Sequence, residues 1–359
     1  MLSKFFILNN EREVITSENK EDFVKYKEKF KEMKIIGTHS GTFHSDEVLS
    51  TLLLKYHPNW QQSIIIITRN KEILEQCDIV VDVGGIIDPK IFRFDHHMKE
   101  FNEKFDEKDE ELNKIKLSSA GLVWKYLGKD ILINVLQKIN FYEKNKIHIE
   151  EIFKKIYIDF IMGVDAIDNG IDQYDKEIKP EYKLSGGFNE RISRLNPEWN
   201  VENVDVNERF KKAWDIAEEE FLYYIKNYAN SYFIVYDIVI NSVKEAVKEN
   251  KLYFILEVNI PWKNCIFEIE KKLGIKDKML YCIHPGSNLR WTSTAVNLNE
   301  NCMELRKPFP KEWRAKCDKE LQKITGIKDA IFVHASGFIS FWRYKKSAIK
   351  ATEMSINNQ

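Results

Sequence analysis

Apolar runs separated by short polar punctuation dominate residues 34–97. KIIGT (34–38) reads as a short buried strand that stops at Gly-Thr. DEVLSTLLLKY (46–56), entered through Asp46 as a cap, reads as a helix. SIIIITR (63–69) is apolar and β-branched, which predicts a strand buried on both faces. A short helix at 70–76 leads to DIVVDVGG (78–85), a third buried strand with Asp82 inside it, stopped by two glycines. Strand-helix-strand-helix-strand is the pattern of a doubly wound, mostly parallel sheet. IFRFDHH (91–97) alternates and ends in a polar cluster, and the charged stretch 98–116 reads as loop.

Farther along, Ser118-Ser119-Ala120-Gly121 opens a helix. A long helix spans about 150–164, with Ile152, Phe153, Ile156, Phe160, Ile161 and Val164 on one face, and ends at Asp165-Ala-Ile-Asp168-Asn-Gly170. Residues 174–187 are polar, with Pro180 and two glycines, a candidate boundary. In the helix expected at 205–229, Phe210, Trp214, Ala217, Phe221, Tyr224 and Tyr228 step by four and three, a seam suited to joining domains. LYFILEV (252–258), MLYCIHP (279–285) and LRWTSTAV (289–296) read as an antiparallel sheet. A helix at 311–324, the strand AIFVHAS (330–336) and a helix near 344–356 follow. The expected fold is α/β: a domain over 1–200 with the doubly wound sheet, and a smaller α+β domain over 201–359 that begins with the long linking helix.

Composition narrows the function classes. A chain of 359 residues favours two domains, each able to bury a core. Aromatic residues make up 13%, far above what a solvated disordered chain carries. The densest apolar run, Ile64–Ile67, falls well short of the ~18 residues a membrane span needs, so no membrane partner is expected. With 55 basic and 56 acidic residues, a protein that wraps polyanions over its whole surface is excluded. Five scattered cysteines without a C-x-x-C pair exclude a disulfide framework and a structural zinc site, and read as free thiols in a reducing compartment. The N-terminus, MLSKFFILNNEREVITSENK, reaches acidic residues too early for a secretory signal or a mitochondrial presequence.

The chemistry-bearing residues collect at strand ends. His39, His44 and Asp46 follow the first strand, Asp82 belongs to the third, Asp95-His96-His97 ends the next segment, and Asp165 and Asp168 end the long helix. In a doubly wound sheet, sites form beyond the carboxyl ends of the strands. Mixed imidazole and carboxylate donors without thiolate suit Mn²⁺, Fe²⁺, Co²⁺ or Zn²⁺. About seven such donors exceed the needs of one ion, and two ions bridged by a carboxylate are the arrangement of many phosphoesterases. Asp82 is the natural bridge, because a carboxylate in a Val-rich strand is costly to bury alone. Asp46 also fits a plain helix cap. His57 and His148, with no carboxylates around them, read as structural.

GTHSGTFHSDEVLSTLLL, CDIVVDVGG, FRFDHHMKEF, KLSSAGLVWKYLG, VDAIDNGI, RISRLNPEWN and FVHASGFI resemble, segment by segment, the melanocyte-proliferating-gene family of the DHH phosphoesterase superfamily. RecJ-type exonucleases and family II pyrophosphatases are relatives, and the resemblance covers roughly residues 33–350. It implies a two-domain, metal-dependent 3′–5′ RNA exonuclease found in the nucleus and in mitochondria in animals. An older description as a metal-dependent protein hydrolase also attaches to the family. Two divalent ions are implied, Mn²⁺ foremost, with Mg²⁺, Co²⁺ or Zn²⁺ as substitutes. Carried onto this chain, one ion falls to His39, His44 and Asp82, where many relatives have Asp in place of His44. The other falls to Asp46, Asp82 and His96 with Asp165 or Asp168. His97 then faces the substrate phosphate, and Asp95 orients a neighbouring imidazole.

Relatives present a Gly-Gly-His-like turn to substrate from the second domain. This chain has instead His334-Ala-Ser336-Gly337-Phe-Ile-Ser-Phe-Trp-Arg343, and His334, Ser336, Gly337 and Arg343 are the candidates to hold phosphate or a terminal nucleotide. His334 equally fits the end of a core strand, and Trp342 fits either a base-stacking or a core-sealing role. Between Arg306 and Lys350 stand twelve Lys or Arg against four Asp or Glu, with Phe309, Trp313, Phe341 and Trp342 interleaved. Such a mixture suits single-stranded RNA, although charge runs also mark solvated helix faces. A pyrophosphatase or small-nucleotide phosphatase is the alternative among enzymes. A non-catalytic RNA-binding protein on the same fold is the alternative outside them.

Overall fold

The computed structural model describes residues 12–358 except 176, 179, 180, 183 and 301. The N-terminal eleven residues and Pro180, both considered above, lie outside the described residues. The chain divides into two units after Ala229.

The first unit runs β1 (Val14–Thr16), α1 (Lys20–Lys29), β2 (Lys34–Thr38), α2 (Ser45–Tyr56), β3 (Ser63–Ile67), α3 (Lys71–Leu74), β4 (Ile79–Val81), β5 (Ile87–Asp88) and β6 (Arg93–Phe94). These strands form one sheet in the order β1-β3-β2-β4-β6-β5, parallel except for the edge strand β5. From β2 the chain crosses to β3 on one side and then returns to β4 on the other, so the winding reverses between β2 and β4. Strand β3 is buried along its whole length, as its unbroken isoleucine run predicts. Ile35, Ile64, Ile66 and Val80 pack with Phe23, Ile73 and Leu74 of α1 and α3 on one face of the sheet. Strand β1 was not legible in the pattern: it adds three residues to the edge beside β3.

Six helices follow: α4 (Ser119–Lys138), α5 (Tyr142–Asn145), α6 (Ile149–Ile156), α7 (Met162–Asp168), α8 (Phe188–Ser193) and α9 (Val206–Asn227). The long helix expected at 150–164 is α6 and α7 separated by a π-helical turn, Tyr157–Ile161, and it runs on through Asp168. Helix α9, expected in the second domain, belongs to the first unit because its apolar stripe is spent there. Phe210 meets Phe43 edge to face at 5.5 Å, Trp214 donates to Thr51 Oγ1 at 3.0 Å, and the Tyr56 hydroxyl donates to Glu218. The division between units therefore falls near 230 rather than 200, inside a second π turn, Tyr228–Tyr232.

The second unit contains α10 (Phe233–Lys248), β7 (Tyr253–Ile255), α11 (Ile266–Leu273), β8 (Tyr281–Pro285), β9 (Trp291–Ala295), α12 (Asp318–Thr325), β10 (Ala330–Val333), β11 (Ile339–Trp342) and α13 (Lys345–Asn357). Its sheet, β10-β11-β9-β8-β7, is antiparallel except between β7 and β8, which α11 connects by a crossover. The helix expected at 311–324 is a short 3₁₀ turn followed by α12. Tyr281, Ile283, Phe309, Trp313, Leu321, Val333 and Trp342 form the core of this α+β unit. Among the described residues, no helix is long and apolar enough to cross a membrane. All five cysteines are free thiols, and Cys77, Cys265 and Cys282 are buried.

Candidate metal centre

Parallel pairing sets the site. Strands β2, β4 and β6 lie side by side, with Gly37 opposite Val80 and Val81 opposite Phe94. The residues just past their carboxyl ends, His39, Asp82 and Asp95-His96-His97, are thereby neighbours at the point where the winding reverses. Asp82 does not lie inside the strand. It sits one residue beyond β4 in the left-handed region, at φ 61°, with its N–H donating to Phe94 O at 3.1 Å. That conformation is rare outside glycine and more accessible to Asp than to most residues. The chain turns there, and the carboxylate points into the site instead of following the pleat.

Around Asp82 the donors crowd together. Its Oδ2 is 3.4 Å from His39 Nε2, and its Oδ1 is 3.4 Å from His96 Nε2 and 3.6 Å from His97 Nδ1. His96 Nε2 also lies 2.9 Å from Asp168 Oδ2 and 3.8 Å from Asp46 Oδ2. Donor atoms of Asp46, Asp82, His96 and Asp168 all fall within 4.8 Å of one another, as do those of His39, His44 and Glu47. Both ring nitrogens of His96 are buried, and neither makes a hydrogen bond of proper geometry among the described residues. An imidazole nitrogen aimed between three carboxylates without bonding to any is placed as a cation ligand would be.

Charge tells the same story. Burial disfavours the imidazolium forms, yet Asp82 and Glu47 outweigh it at His39, lifting its pKa to about 10. At His96, Asp168 and Asp82 lift the pKa to about 11. The Asp46 carboxyl is pushed well up, first by burial and then by the charges of Asp82 and Asp168. Protons on the imidazoles compensate a surplus of buried negative charge, and a divalent cation would compensate it with the same donors. The residues fit such an ion.

Helix α4 orients part of this set. Its first turn presents Ser119 N–H to Asp46 Oδ2 at 2.9 Å and Ala120 N–H to Asp46 Oδ1 at 2.6 Å, with Ser118 Oγ also donating to Oδ1 at 2.5 Å. Asp46 is thus no helix cap: α2 begins at Ser45 after His44, and Asp46 turns inward onto another helix's N-terminus. Asp165 is held by the same turn, accepting from Ser118 N–H at 2.9 Å, Ser118 Oγ at 2.7 Å and Gly121 N–H at 3.1 Å. One hydroxyl proton cannot serve both carboxylates, and burial raises the Asp165 carboxyl to about 7 against these hydrogen bonds. The structure therefore brings Asp168, not Asp165, into the cluster, and leaves Asp165 behind Ser118.

Exposed His97 donates from Nδ1 to Asp95 Oδ1, 2.7 Å away, and its pKa is raised by that contact. Buried Asp95 is itself fixed by Gly85 N–H at 2.5 Å. His39, His44, Arg69, Asp82, Asp95, His97 and Asp168 line a cavity of about 470 Å³.

A family model described as an uncharacterised protein family (UPF0160), and labelled for MYG1 exonuclease, matches residues 35–356. The MYG1 protein of Dictyostelium discoideum is 35% identical over 90% of this chain and 96% of its own length. The chain belongs to the MYG1 family. The MYG1 protein of Schizosaccharomyces pombe is 37% identical over 85% of this chain and 91% of its own. The MYG1 exonuclease of Mus musculus is 35% identical over 89% and 84%. Among solved structures, an exopolyphosphatase-related protein from Bacteroides fragilis matches over 94% of this chain and 96% of its own at 10% identity, with a TM-score of 0.18.

Four supporting residues of this MYG1-family site are not singled out by the sequence pattern. Glu47 is fully buried, lies 3.0 Å from His39 Nε2 and accepts His44 N–H at 2.8 Å; its spacing three residues after His44 was the available signal. Ser118 and Ser119 stood in a quoted motif without a role. Asn196, in RISRLNPEWN, clamps the loop between His39 and His44: its Oδ1 accepts Phe43 N–H at 2.9 Å and its Nδ2 donates to Phe43 O at 2.7 Å.

In the second unit, His334, Ser336 and Gly337 form the turn between β10 and β11. His334 is exposed, with Nδ1 accepting from Ser336 N–H at 3.2 Å, so it does not pack in the core. Gly337 needs φ 75°, and a Cβ there would meet Arg314 Nε at 2.8 Å. His334 and Ser336 line a cavity of about 1130 Å³ with Lys263, Asn297 and Phe338; exposed Arg343 is not part of that lining. Trp342, Phe309 and Trp313 are buried in the core and unavailable to bases, because the aromatic spacing here serves packing. Arg306 is likewise spent on Glu270, with both Nη atoms at 2.8 Å from its carboxylate.

Proposed function

We propose that the protein is a metal-dependent 3′–5′ exoribonuclease acting on single-stranded RNA with two divalent ions, Mn²⁺ foremost, held on either side of Asp82. The observation that carries this reading is the convergence of Asp46, Asp82, His96 and Asp168 next to His39 and Glu47. His39, His44 and Asp82 would hold one ion, and Asp46, Asp82, His96 and Asp168 the other. Asp165 is a support for the α4 turn. When bound, the ions generate hydroxide from water at neutral pH and neutralise charge on the phosphate. Asp95 holds His97 by Nδ1, which leaves Nε2 to donate to a phosphate oxygen. His334, Ser336, Gly337 and Arg343 serve substrate in the second unit. The name exonuclease borne by the mouse relative supports a nucleic-acid substrate.

Linear and circular single-stranded RNA, offered to full-length protein with Mn²⁺, test the proposal, with Asp82→Asn as the control. The linear form should shorten stepwise from its 3′ end, the circle should persist, and Asp82→Asn should lose several orders of magnitude in rate. Cutting of the circle at a comparable rate would mean an endonuclease. Hydrolysis confined to pyrophosphate or small nucleotides would favour the phosphatase, and RNA binding without turnover a non-catalytic module.

A further inference from the structure

The cavity beside the His and Asp cluster contains one residue that neither the ion ligands nor the proton-handling pair accounts for. Arg69 is the only Lys or Arg in its lining, which also includes Asp82, Asp95 and Asp168. A guanidinium in such company ordinarily neutralises an acid. Among the described residues Arg69 forms no ion pair, and its only side-chain hydrogen bond there runs from Nε to Ser40 O, at 3.0 Å. The nearby carboxylate of Glu18 is already engaged, accepting from Ser40 Oγ, Thr68 Oγ1 and the backbone N–H of Arg69 at 3.2 Å. Glu18 and Ser40 therefore fix the backbone and the Nε of Arg69, while Nη1 and Nη2 have no acceptor among the described residues.

Arg69 lies two residues past β3, the strand next to β2, so it stands on the same carboxyl edge of the sheet as His39. A planar fork held at its Nε, with both terminal nitrogens open, matches two oxygens of one tetrahedral oxyanion. The other ionisable residues of the lining are carboxylates and imidazoles, and the carboxylates would repel an anion without cations to receive it.

We propose that Arg69 is a phosphate-binding residue that grips non-bridging oxygens of the substrate phosphate seated against the Asp82 cluster. This deepens the phosphodiesterase reading and rests on it. Arg69 then contributes to substrate affinity and does not hold the ions.

The test uses full-length protein loaded with Mn²⁺, and inorganic phosphate as the probe in calorimetry. Wild type should bind phosphate; Arg69→Ala should weaken it roughly 10- to 100-fold, the loss expected for a charge-assisted pair. Arg69→Lys, which keeps the charge and loses the fork, should fall between. Mn²⁺ stoichiometry and affinity should match wild type in both variants, and KM for RNA should rise more than kcat falls. Equal phosphate affinity in wild type and Arg69→Ala, with Mn²⁺ bound in both, would overturn this proposal and leave the metal reading standing. Loss of Mn²⁺ from Arg69→Ala would overturn it in favour of a role in building the ion site. Failure of wild type to take up Mn²⁺ would overturn the metal reading itself, and this proposal with it.

Discussion

Gly121→Ala should destabilise the protein, against the sign that helix propensity gives. Gly121 is the third residue of α4, where alanine would ordinarily gain at most about 1 kcal/mol. A Cβ on it would stand 2.3 Å from Asp165 Oδ2 and 2.5 Å from Oδ1, inside a fully buried pocket. Overpacking of this kind costs about 1–3 kcal/mol. The carboxylate can retreat only by giving up donors among Ser118 N–H, Ser118 Oγ and Gly121 N–H. One lost hydrogen bond to a charged group adds about 1.5–3 kcal/mol. The balance is a net loss of roughly 2–4 kcal/mol, or on the order of 10 °C in Tm for a unit of this size. Thermal unfolding followed by circular dichroism in EDTA measures it. The cause is isolated by Asp165→Ala: in that background Gly121→Ala should cost far less, a strong non-additivity. An unchanged or raised Tm in the single variant, or simple additivity in the pair, would refute the close approach of α4 to Asp165.

Two further outcomes follow from the same neighbourhood. Asn196→Ala removes both hydrogen bonds to Phe43 and should lower Mn²⁺ affinity while leaving far-ultraviolet dichroism unchanged; equal affinity by calorimetry would show that the His39–His44 loop holds its shape unaided. Burial holds the Asp165 carboxyl near 7 in the folded state, above its ordinary value, so its contribution to stability is full below about pH 4 and is lost as pH rises through 7. Asp165→Asn should therefore lose less Tm than wild type between pH 5 and pH 8 in EDTA, and parallel curves would contradict the assignment.

Much of the site was legible because strand ends announce themselves. Unbroken isoleucine and valine runs locate β2, β3 and β4, and parallel winding then forces His39, Asp82 and His96 together. What the pattern could not show was direction. Asp46 had the position of a helix cap, and only packing of α2 on α4 turns it inward. Asp165 and Asp168 are three residues apart on one helix, and choosing between them depends on which donors each meets. Glu47 was hidden in an ordinary helical stretch because its burial comes from tertiary contacts. The aromatic residues near the C-terminus mislead for the converse reason: core packing and base stacking use the same side chains, and only burial separates them.

The π turn at Tyr157–Ile161 makes the length of this segment matter as much as its content. Winding these residues as α-helix without shortening the chain would turn everything downstream by about 100°, because the extra residue that the wide turn absorbs would then advance the helix. Asp168 would swing off the cluster and Asp165 away from Ser118, while α6 kept its own packing. Evolutionary change in this stretch should therefore keep the π turn and its extra residue together or lose both, so that an alignment shows either constant length from Ile149 to Asp168 or a one-residue gap within the turn.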